Sequence, residues 1–188
     1  MSPGIVRWGG WAGVLAGVIF VLAGILILIA PPQRAFNSFS DYLIAVILAV
    51  AFALTLVAIA GLHTLQSGRY GALGAAGSSI TFIGYAVIVV VTAVSTLVGN
   101  EALFVIRLIA ALAVVIGSIL LGAMTLRARV LPWWCGVLLM VGFPLGDVVN
   151  TVIGEGSEAI VLGILWGLLG YALLASSRAP NRPSVRVG

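Results

Sequence analysis

Six stretches of about twenty mostly apolar residues follow one another with only short polar breaks, and this pattern constrains the chain more than any other feature. A helix rising 1.5 Å per residue needs roughly 20 residues to cross the hydrocarbon layer of a bilayer. The stretches lie near residues 9–30, 42–65, 73–98, 102–126, 132–153 and 158–176. Lipid offers no water to free backbone groups, so a span must bond its own amides and carbonyls. The expected fold is therefore all-α, a polytopic membrane bundle of six transmembrane helices. The first stretch reads as a span and not as a signal peptide. Its apolar run from Val14 to Ala30 exceeds the roughly 7–15 residues of a signal core, and only "APPQR" follows where a small-residue cleavage site would stand.

Composition agrees. Only 7% of the residues are charged, against about 25% in a soluble domain, so a water-facing surface cannot be drawn from this pool. Twenty-four glycines suit helices that approach closely in lipid. The single cysteine, Cys135, excludes an intrachain disulfide and a cysteine metal cluster. All nine basic residues are arginine, which points to a GC-rich bacterial genome.

The charges alternate between the two ends of the spans. Arg7, Arg69, Arg127, Arg129, Arg178, Arg182 and Arg186 fall at one side; Asp41, Glu101, Glu155 and Glu158 fall at the other, with Arg34 as its only base. By the positive-inside rule both termini are expected in the cytoplasm. Trp8, Trp11, Tyr70, Trp133 and Trp134 sit at the same boundary, as an interfacial belt would. The net charge of +4 thus sets topology and meets lipid headgroups, and no nucleic-acid partner is expected. The chain divides into a six-helix transmembrane domain, residues 1–176, and a basic cytoplasmic tail, residues 177–188, expected to be disordered.

Spans two, four and six end in "GLHTLQSGR", "GAMTLRAR" and "GYALLASSR". A duplicated two-helix unit would produce this echo. So would an arginine anchor at the end of every inward-running helix, which is the simpler reading. Glycines recur in three spans: Gly10, Gly13 and Gly17; Gly74, Gly77 and Gly84; Gly163, Gly167 and Gly170. Spacing of this kind brings helices into close contact, and here it is expected to hold the monomer together.

Two ionised side chains stand clearly inside spans. Arg107 lies about five residues past the outer end of the fourth, and Asp147 about five short of the outer end of the fifth, so both are expected roughly 8 Å below the boundary. Opposite charges at one depth on neighbouring antiparallel helices predict a buried ion pair, since either alone is costly in lipid. Phe143, Asp147 and Asn150 share a helical face, and Pro144 deprives the carbonyl of Met140 of its amide partner. "GFPLGDVVN" is thus expected to be a kinked half-helix, with Arg107, Asp147, Asn150 and Pro144 forming an outer pocket or a clamp. The clamp is preferred over a transport site, because no further acidic relay follows.

Catalytic chemistry finds little to work with. His63 is the only histidine, no HExxH set exists, and a zinc site needs several converging ligands. Ser78 and Ser79 could approach His63, but no carboxylate stands at that depth to complete a triad. The absence of lysine rules out a phosphate loop of the usual kind, and "GRYGALGAAG" follows a membrane helix, not a strand. No cofactor or metal is expected.

The segments "GLHTLQSGRYGALG", "TLRARVLPWWCGVLLMVGFPLGD" and "WGLLGYALLASSR" resemble uncharacterised multi-pass membrane proteins of actinobacterial, high-GC type. The resemblance covers most of residues 50–178 and implies a bacterial plasma membrane and no particular activity. The function expected is that of a non-enzymatic membrane protein, an accessory or structural component or a small binding bundle, partnered by the bilayer and by a second copy or another membrane protein. The alternatives are a small transporter or channel for a lipophilic solute or ion and, less favoured, a lipid-modifying enzyme.

Overall fold

The computed structural model describes residues 3–31, 38–69, 71–98 and 103–178. Six helices occupy them: α1 Pro3–Ile29, α2 Phe39–Gln66, α3 Gly71–Val98, α4 Phe104–Ala128, α5 Trp133–Ile153 and α6 Ser157–Arg178. Each is long and apolar enough to cross a membrane, and no strand occurs among the described residues. The expected spans are recovered. α1 begins earlier than the apolar pattern suggested, because Pro3 suits a first helical turn and Arg7 and Trp8 stay helical at the boundary. Residues 179–188, most of the expected tail, lie outside the described residues.

Each helix packs on its neighbours in sequence, and α6 closes onto α1, so the bundle is a ring. Facing residues show that the joined helices are antiparallel: Gly13 meets Gly170, whereas Gly24 meets Gly156 and Ile160. Pro3 and Arg178 therefore share one end of the bundle, here the terminal end, and the linkers after α1, α3 and α5 mark the opposite end.

Glycine decides how close the helices come. A methyl group added to Gly17 would lie 2.6 Å from the carbonyl oxygen of Gly163 and 2.6 Å from the amide nitrogen of Gly167. The same relation recurs elsewhere in the ring. Gly117 sits against Gly77 and Thr81, Gly122 against Gly136 and Met140, and Gly9 against Val57 and Gly61. In every case a glycine rests on a carbonyl of the facing helix and on the amide four residues further along. Water cannot drive apolar helices together inside lipid, so this backbone-to-backbone fit supplies the contact instead. The seams on α1 and α6, and Gly77 and Gly84 on α3, are thus consumed within the chain.

The few polar side chains within spans are mostly tied to their own helices. The hydroxyls of Thr55, Thr81 and Ser176 donate to the carbonyls of Ala51, Gly77 and Ala172, one turn back. Asp41, which sequence assigns to a charged linker, is buried in a capping box. It accepts from the Ser38 amide at 3.0 Å, and its own amide donates to the Ser38 hydroxyl at 3.3 Å. At the α5–α6 corner Gly154 (φ 119°) and Gly156 (φ 98°) adopt backbone conformations closed to other residues, which lets α6 turn back within three residues of the end of α5.

Candidate functional site

Three charged side chains from successive helices gather toward the opposite end of the bundle. Arg107 stands in the first turn of α4, Asp147 in the last two turns of α5 and Glu158 in the first turn of α6. Arg107 and Asp147 are the two charges that act electrostatically on the Glu158 carboxylate. Glu158 itself is half-buried. Its Cγ lies where a side chain on Gly146 would meet it, 3.1 Å from such a carbon, so the glycine makes room for the acid beside Asp147.

The structure places the expected residues differently from a buried clamp. Arg107 and Asp147 are both exposed on the flank of the chain, and among the described residues no ion pair joins them. For Arg107 the reason lies in the helix boundary. α4 starts at Phe104, so the guanidinium stands only about 5 Å along the helix, shallow enough for its long stem to carry the charge outward. For Asp147 the reason is the face that α5 turns inward. Leu139, Gly142, Phe143 and Gly146 are buried, which leaves Asp147 just off that stripe and Asn150 half-buried at its edge. Pro144 is partly buried inside α5, and the helix continues through it to Ile153.

Two polar contacts that the sequence does not announce cross the interior. Midway along the bundle the indole N–H of Trp166 on α6 donates to the Tyr85 hydroxyl on α3, 3.1 Å away. Tyr85 is the centre of an aromatic cluster. Its ring lies 5.8 Å from Phe52, 5.7 Å from Phe143 and 5.9 Å from Trp166, and Phe52 in turn packs edge-on to Phe20 at 5.0 Å. Rings from α1, α2, α3, α5 and α6 thus meet in one place, and Val114 of α4 is buried in the same core. Near the terminal end the hydroxyl of Thr125 on α4 lies 3.0 Å from the carboxamide oxygen of Gln66 at the close of α2. The one signal for either contact was Tyr85 standing as a polar group inside an apolar run. Among the described residues no three histidine, cysteine or acidic side chains converge as a metal site would need.

The fold places the chain in a class, the polytopic helical membrane proteins. Comparison with known protein families, curated proteins and solved structures returns no match that would narrow it further.

Proposed function

We propose that this protein is a non-enzymatic, multi-pass component of a bacterial plasma membrane, with both termini cytoplasmic, acting as an accessory or structural bundle for other membrane components. The observation that carries this reading is the closure of the interior. Aromatic rings from five helices meet in the middle of the ring, and such a packed centre favours a scaffold over a conduit. The charged trio supports it too, since Arg107 and Asp147 face outward along the flank, where headgroups or a neighbouring protein would meet them. The arginine-rich terminal end supports the orientation.

A transporter for a lipophilic solute or ion is the rival reading, and Pro144 separates the two. Broken helices in transporters expose backbone at a binding site. In a scaffold, Pro144→Ala only restores an amide partner for Met140, and no ligand response changes. The test is a thermal-shift panel of candidate solutes on purified protein. A saturable shift in the wild type that is lost in a normally folded Pro144→Ala protein would overturn the scaffold reading.

A further inference from the structure

Gln66 is completely buried, and its carboxamide nitrogen has no hydrogen-bond partner among the described residues. Its neighbour Thr125 is buried as well, and the Thr125 hydroxyl oxygen lies 2.8 Å from the carbonyl of Leu121 and 3.0 Å from the Gln66 carboxamide oxygen. A hydroxyl has a single proton and cannot donate to both. If the proton serves Leu121, the Gln66 amide must turn its nitrogen toward Thr125 as donor, which leaves the carboxamide oxygen alone. If the proton serves Gln66, the nitrogen is left alone. Which end of an amide faces a partner is assigned from such accounting, and here each assignment leaves one polar atom unmet among the described residues.

An unmet buried polar atom costs about 1–3 kcal/mol, and buried polar groups in folded proteins nearly always have a partner. The contact also spans an uncommon route. α2 and α4 are not neighbours in the ring, since α3 stands between them. The pair therefore bridges the inside of the bundle, one turn from its terminal end, with Leu62 and Leu121 buried one turn deeper on the same two helices.

We propose that Gln66 and Thr125 form a polar site inside the terminal end of the bundle that holds water, or another small neutral molecule able both to donate and to accept hydrogen bonds. Such a guest bridges the unmet amide atom and the free lone pair of Thr125, giving it the two partners that a buried water needs. Below it the leucines and then the aromatic cluster close the interior, so hydration stops at this level. The site stands whether the protein is a scaffold or a transporter.

The test uses purified full-length protein with Cys135 replaced by alanine, so that one introduced thiol reports. Thr125→Cys should react with a small water-soluble methanethiosulfonate at least about tenfold faster than Leu121→Cys, one turn deeper. Adding Gln66→Leu should slow the Thr125→Cys reaction. No reaction at position 125, or equal rates at 125 and 121, overturns the site. A second measurement stands apart from cysteine chemistry. If the amide is dry, Gln66→Leu removes an unmet polar atom and raises the melting temperature. If the site is hydrated, the same change removes satisfied bonds and lowers it by about 2–4 °C. A rise overturns the proposal even where the cysteine variants do not fold.

Discussion

Glu158 owes its position to a residue without a side chain. Gly146 lets the acid lie along α5, and there it feels one like and one opposite charge, Asp147 and Arg107. Because Arg107 is exposed, its attraction for Glu158 is screened and modest. Arg107→Ala should accordingly move the melting temperature in detergent by less than about 2 °C, as a surface change does. A fall several times larger would mean that the arginine is held in a buried pair after all. At the centre of the bundle the opposite holds. Trp166 and Tyr85 are both buried and hydrogen-bonded, so truncating Trp166 to alanine should cost about 3–5 kcal/mol. Tyr85→Phe should cost about 1 kcal/mol. In a double-mutant cycle Trp166→Phe should cost less in the Tyr85→Phe background than in the wild type, because the shared bond is already gone. Strict additivity would show that the bond contributes nothing.

Among the helices, the position of a glycine matters more than its presence. Gly4 has no atom near where a side chain would grow, whereas Gly17 rests on the backbone of α6. Gly4→Ala should therefore be neutral, or stabilising by up to about 1 kcal/mol through helix propensity. Gly17→Ala should force α1 and α6 apart and lose about 1–3 kcal/mol, since even a bare methyl meets the backbone of α6. Thermal melts of the two variants side by side check this, and equal melting temperatures would show that the α1–α6 seam is not the close contact described. The two changes have the same chemistry and are told apart only by the facing helix.

Across the whole molecule, the alternation of charge with each crossing predicts an orientation that a reagent can read. Glu155 is exposed at the α5–α6 corner, while Ser157 beside it is buried, so the reporter belongs at 155. In a Cys135→Ala background Glu155→Cys should react with a membrane-impermeant maleimide added to intact cells. Labelling only after the cells are opened would invert the orientation. The six crossings themselves were readable from the sequence because bilayer thickness is a one-dimensional requirement, met by run length and ended by charge. The inward face of each helix was not. A soluble helix announces its buried face by alternating apolar and polar residues, but here lipid and interior are equally apolar and the pattern vanishes. On α4, Arg107, Ala111, Val114 and Ser118 stand at i, i+4, i+7 and i+11, one helical stripe, and they show the consequence. Val114 and Ser118 point inward as their spacing suggests, and Arg107, two turns earlier on the same stripe, lies exposed at the helix end. The sequence by itself determined six helices, their order and the sidedness of their charges. Only the tertiary structure decided which glycines touch backbone, that Tyr85 meets Trp166 and Gln66 meets Thr125 across the ring, and that Glu158 joins Asp147 and Arg107. Those choices depend on shape and on partners distant in the chain, which hydrophobicity along a single helix does not encode.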